Sequence, residues 1–173
     1  AQAVVAARAR GLRATVAVTD RVGNVLGVYA MDGAAPTFRI DGGRGVAGGL
    51  EGVDVLPSAF AAISKAVTGA YLSSAGHAFS TRTASQIVQQ FFNPGELNQT
   101  GGPLFGVQFS QLSCSDLVLR DADGRAGPKR APLGRAADPG GLPLYKNGRV
   151  VGGIGVMADG VYVLDLVVTD VDA

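Results

Sequence analysis

The sequence predicts an α+β fold in which an antiparallel sheet of five strands is flanked by helices, and three observations predict it. Asn147-Gly148 stands between two apolar runs, the pattern of a two-residue hairpin turn. Residues 14–31 read as a second strand-turn-strand unit. Between the two, residues 57–74 place Phe60, Ile63, Val67, Ala70 and Tyr71 at helical spacing, a stripe expected to face the sheet.

The elements follow in order. Ala1, Val4, Val5 and Ala9 alternate with Arg8 and Arg10 on a first helix, with Gly11 as its C-cap. Residues 14–20 and 25–31 form the first hairpin around the turn at 21–24. Residues 34–56 are rich in Gly and almost without periodicity, so they read as an excursion. Pro57 suits the first turn of the long helix, where its missing N–H costs nothing. Thr81 or Thr83 caps a further helix through Phe92, with Ile87, Val88 and Phe91 buried and Asn93-Pro94-Gly95 ending it. A second excursion, residues 93–141, includes a long polar loop from Arg120 to Gly141. The hairpin 142–146 and 149–157 follows, and Ala158-Asp159-Gly160 turns into a last strand, 161–168. Gly152, Gly153 and Gly155 in the hairpin's second strand mark a bulge or the close approach of another backbone or a ligand.

Composition narrows the function classes. At 173 residues and 17.5 kDa the chain fits one domain, residues 1–173. The absence of an initiator Met and the helix beginning at Ala1 lead us to expect that this domain is cut at both ends. No apolar run approaches the ~18 residues that span a bilayer, so membrane insertion is not expected. Fifteen basic against fourteen acidic side chains leave a formal charge of +1, which offers no field for a nucleic-acid backbone. The single Cys114 makes no intrachain disulfide and leaves the compartment open, a secreted or periplasmic one included.

Three segments carry a family resemblance. Residues 140–156 join a Gly-Gly-x-Pro entry to an Asn-Gly turn and a Val-Gly-Gly-Ile-Gly-Val exit; residues 15–33 hold an Asp-x-x-Gly corner and a Met-Asp-Gly ending; residues 62–68 hold Lys65-Ala66-Val67-Thr68. Together they resemble the GlcG/HbpS haem-binding family. The resemblance implies a profilin-like plan in three layers, α/β/α. It also implies a homo-oligomer and a role in haem storage, sensing or redox response. Two rivals stand beside it: an interaction module without cofactor, and an enzyme acting on a small organic acid. The long excursions and Val156-Met-Ala-Asp-Gly160, in place of the family's Val-Ser-Gly ending, depart from the pattern.

His77 is the one histidine and follows Gly76 just beyond the long helix, where an imidazole can reach out as an iron ligand. Its bland reading is a surface or helix-capping residue. Without Cys-x-x-Cys-His any haem, taken as haem b, is held non-covalently. Tyr71, Tyr145, Met31 and Met157 are further axial donors, while Cys114 by default is a small buried apolar residue. Lys65 and Arg82 suit haem propionates, and Thr68 belongs to the same family pattern. Structurally, Lys65 has a strand carboxylate such as Asp20 or Asp32 as its expected partner, and Thr68 bonds back into its helix.

Other motifs carry less. Gly43-Arg-Gly-Val-Ala-Gly48 fits G-x-G-x-x-G but lacks the following helix start, and Gly153 to Ala158 leads into a turn. Asp121-Ala-Asp-Gly124 lacks the distal ligands of a calcium loop. Arg120, Arg125, Lys129, Arg130 and Arg135 have no interleaved aromatics and read as a surface loop. No Gly-x-Ser-x-Gly elbow occurs, and Asp20, Asp32, Asp116 and Asp165 fall in different elements, so no residue set specifies catalysis.

Overall fold

The computed structural model describes residues 1–41, 50–88, 98–107, 110, 131 and 133–163. Its class is the expected α+β. The main sheet has the order β2-β1-β6-β5, built from β1 (Thr15–Asp20), β2 (Val25–Ala30), β5 (Gly141–Lys146) and β6 (Arg149–Met157), with every pairing antiparallel. Both hairpins stand where the sequence places them. Asn147 at φ 50° and Gly148 at φ 74° supply the left-handed pair that a type I′ turn requires.

A second small sheet departs from the sequence reading. β3 (Thr37–Ile40) and β4 (Leu56–Pro57) lie within the stretch read as aperiodic, and β7 (Val161–Tyr162) runs parallel to β3. The start of the expected fifth strand therefore joins this sheet rather than the main one; residues 164–168 lie outside the described ones. β3 is short and pairs at long range, which leaves no local period to read. Phe38 is its anchor, 1% exposed and packed on Tyr162 with ring centroids 5.4 Å apart.

Helices cover the main sheet on both faces. α1 (Gln2–Ala9) lies over Val16, Ile154 and Val156, and Gly11 beyond it takes φ 71°. α2 (Ser58–Leu72) lies on the opposite face, and Pro57 is its N-cap rather than its first helical residue. The stripe that α2 presents to the sheet also differs from the one expected. Val67 and Ala70 are buried as expected, but Phe60 is 39% exposed and Ala62 and Ala66, outside the expected stripe, are fully buried. The reason lies in the strand beneath. Cβ atoms built on Gly153 and Gly155 would stand 1.9 Å from the Ala66 and Ala62 carbonyl oxygens, so small residues on both partners let the helix rest almost on the sheet backbone. The three glycines thus mark another backbone, one of the readings left open above.

α3 (Thr81–Ile87) is capped by Ser80, whose hydroxyl accepts from the Thr83 N–H at 3.2 Å; neither Thr81 nor Thr83 is the cap. Thr81 is buried instead and its Oγ1 accepts from the Gly141 N–H at 2.7 Å, fixing the entry to β5. The expected continuation to Phe92 lies outside the described residues.

Candidate functional site

On the α2 face, Ser64, Lys65 and Thr68 turn inward and fasten the chain before β5. Ser64 Oγ donates to the Gly134 carbonyl at 2.6 Å, and Thr68 Oγ1 donates to the Ser64 carbonyl and accepts from the Ala136 N–H, both at 2.8 Å. The Lys65 ammonium pairs with Asp138 and donates to the Val156 carbonyl at 3.2 Å. Residues 133–138, read from sequence as part of a surface loop, are mostly buried because these side chains supply the partners that a buried backbone needs. Arg135 in the same stretch stacks over the Tyr71 ring at 4.0 Å. Burial lowers its pKa to about 10, although the Tyr71 phenol works the other way.

Lys65 thus takes neither Asp20 nor Asp32. Asp20 is spent on its own corner, where its carboxylate accepts from the Val22 and Asn24 N–H groups at 3.0 and 2.8 Å and from the Asn24 amide at 2.6 Å. The slight burial of that carboxyl would raise its pKa, but these hydrogen bonds outweigh it and the pKa falls. Asp138 behaves oppositely: burial pushes it up to about 6 in spite of Lys65 and the Val163 N–H beside it. Lys65 side chain and Asp138 are 3% and 4% exposed, so an incoming carboxylate would have to displace Asp138 to reach the ammonium.

The other residues singled out in the sequence are dispersed. His77 is exposed in the turn after α2, where its carbonyl accepts from the Ser74 N–H at 2.9 Å and from Tyr145 Oη at 3.1 Å. Tyr71 Oη donates to the Val22 carbonyl at 2.6 Å and ties α2 to the first hairpin turn. Arg82 is half-buried on α3. Met31 and Met157 are core residues, 4% and 2% exposed. Cys114, Gly43 to Gly48 and Asp121 to Gly124 lie outside the described residues.

The α1 face holds what the sequence reading missed. A groove of about 640 Å³ opens between α1 and the sheet, within the range of small-molecule sites. Val16, Val18 and Ile154 form its floor, Val4 and Val5 one wall, and Leu26 to Tyr29 its outer side. Register explains the opening. Gly27 pairs with Val18, and Tyr29 with Val16, so both share the floor's side of the sheet. A Cβ on Gly27 would meet nothing within 4 Å. Among the described residues Arg8 brings a charged side chain to the groove, and it also lines an adjoining polar cleft of about 410 Å³ with Arg13, Met31 and Asp32. The signal was in β2 itself: Val-Leu-Gly-Val-Tyr-Ala has no charged residue and only the Tyr29 hydroxyl as a polar group, although an edge strand normally turns one face to water.

No family model matches the sequence, and no curated protein does. Solved structures do. Klebsiella pneumoniae protein ORFY, of the DUF336 family, is 20% identical with a TM-score of 0.49, over 89% of this chain and 68% of that one. PduOC in complex with haem is 20% identical with a TM-score of 0.49, over 90% and 72%. A double mutant of Streptomyces reticuli HbpS is 22% identical with a TM-score of 0.41, over 91% and 66%. At these identities the likeness concerns the course of the chain, and what those proteins bind stays theirs. This chain has its own geometry: a sealed α2 face and an open α1 face. Among the described residues no three His, Cys, Asp or Glu side chains gather as a metal site, and no helix is long and apolar enough to cross a membrane.

Proposed function

We infer that this chain binds haem, or a flat amphipathic ligand of that type, non-covalently in the groove between α1 and the sheet. The observation that carries the reading is the groove itself, an apolar slot that continues at Arg8 into a cleft with a second guanidinium, Arg13. Such a shape suits a planar apolar body with carboxylates at one end: the aliphatic floor shields the ring and the guanidinium groups meet the charge. Tyr29 is the groove-lining residue whose side chain carries an iron donor, and a phenolate is a known haem ligand. Bound haem would supply an iron centre for storage, sensing or redox response. Haem b is the form this reading implies, since nothing in the motif pattern provides a covalent attachment.

His77 does not line the groove. As an iron ligand it would define a different site, on the exposed turn near Arg82 and Lys65 in sequence. Titration with haemin, followed at the Soret band, separates the two. Gly27→Leu places a branched side chain in the groove at a position where the added Cβ meets nothing within 4 Å, and is expected to weaken saturable binding strongly, while His77→Ala leaves it intact. Loss in His77→Ala alone would move the site to residues 73–80. Binding unchanged by both substitutions would reject both places, and no saturable binding to the parent protein would overturn the haem reading.

A further inference from the structure

The two edges of the main sheet are built differently. At the β5 edge stand Pro143, which has no N–H to offer, and the charged Lys146, and Tyr145 Oη is tied to the Ser74 and His77 carbonyls at 2.7 and 3.1 Å. These are the devices by which a sheet edge resists pairing. The β2 edge has no proline, no charge and no such tie, and its interruption is a register shift at Leu26, opposite Val18 and Thr19. All six of its residues are exposed. Leu26 is 67% exposed, Tyr29 52%, Val25 48% and Val28 44%. Register puts Tyr29, opposite Val16, on the α1 side and Val28, opposite Ala17, on the α2 side, so both faces of the strand are apolar. Among the described residues the only strand paired with β2 is β1.

We propose that two copies of this chain pair through their β2 strands, antiparallel about a two-fold axis, joining their four-stranded sheets into one continuous sheet. A second copy is the occupant that this strand specifies. Its uncharged sequence meets itself without like-charge repulsion, and a two-fold contact satisfies the same unpaired backbone groups on both chains at once. The blunted β5 edge stops further addition, so the contact closes as a dimer instead of growing into a fibre. Each β2 also forms the outer side of a groove, and pairing brings the two grooves side by side along one sheet face. The pairing is independent of what the groove binds.

Sedimentation velocity on the parent protein without haemin, over a concentration series, tests it. The parent is expected to sediment as a dimer, Val28→Lys to fall to half that mass while keeping a cooperative unfolding transition, and Val5→Lys, 64% exposed on α1, to remain dimeric. A parent that is monomeric throughout, or a Val28→Lys protein that stays dimeric, overturns the proposal; so does a monomeric Val5→Lys, which would place the contact on α1. Amide exchange on the parent provides a readout free of any substitution: β2 amides are expected to gain protection as concentration rises, and constant fast exchange would overturn the pairing. Haemin binding with no dimer, or a dimer with no haemin binding, tells the two readings apart.

Discussion

On the α2 face of the sheet, Gly153 and Gly155 are filled by helix backbone, whereas on the α1 face Gly27 looks into open space. The same residue type, in the same sheet, closes one side and opens the other. The difference comes from the covering helix. α2 has fifteen residues and meets the sheet with alanines, so every missing Cβ becomes close contact. α1 has eight and leaves β2 uncovered. A glycine in a strand therefore signals function only when nothing packs into the space it leaves.

The largest expected effect comes from breaking the sealed face at its charge. Lys65→Met would leave the buried Asp138 carboxylate without its cation, and loss of one partner of a buried ion pair costs about 3–5 kcal/mol. Lys65→Met together with Asp138→Asn should recover much of that, since no uncompensated charge remains. Urea denaturation of the single and double variants measures this. A double variant as unstable as the single one would mean that the segment needs the charges themselves.

Packing gives the next effect. Gly155→Ala drives a methyl to within 1.9 Å of the Ala62 carbonyl oxygen and 2.7 Å of the Ala66 nitrogen, both helix backbone atoms that cannot move alone. The helix must lift, and overpacking of this kind costs about 3 kcal/mol. Equilibrium unfolding checks it, and a loss well below that would show that α2 is free to ride up from the sheet.

The pH dependence is smaller and has a definite sign. Asp138 holds its proton up to about pH 6 in the folded protein against 3.8 unfolded, so between those values the folded state binds more protons and stability falls as pH rises. Asp20, whose folded pKa is lowered, works below that window: its contribution is present above about pH 3.8 and lost as the pH falls through its folded value. The urea midpoint of the parent is expected to decline from pH 4 to pH 6 by this contribution, and Asp138→Asn to abolish that slope. An unchanged slope in the variant would assign it to other groups.

The two faces were also unequally legible in the sequence. The hairpins could be read because Asn147-Gly148 and the Asp20 corner are local chemistry, complete within a few residues. The partner of Lys65 could not, since Asp138 lies 73 positions away, in a segment whose burial depends on Ser64 and Thr68 reaching across to it. β3 was missed for the same reason, its pairing with β4 and β7 being long-range. Of the helix stripe, Val67 and Ala70 follow from helical spacing, whereas Ala62 and Ala66 are set by Gly153 and Gly155 on a strand far away in sequence. The groove depended on register: only the pairing of Gly27 with Val18 shows that its missing side chain falls on the α1 side.

The smallest effect on stability should come from the substitution that alters the open face most. Gly27→Leu introduces a large side chain at a strand position where the added Cβ meets nothing within 4 Å and where the backbone is not in the left-handed region. The folded state is not strained, and the unfolded chain loses some of glycine's conformational freedom. The new side chain can also cover Val18 and the Tyr29 ring, removing apolar surface from water. We expect a change within about 0.5 kcal/mol of the parent, in either direction, set against the loss from Gly155→Ala measured in the same urea series. Equal losses for the two variants would mean that the α1 face is as tightly packed as the α2 face, and the groove would then be closed in solution. A near-neutral Gly27→Leu keeps the face open and makes this variant a clean block for ligand titration, because any loss of binding would come from a filled groove in an intact fold.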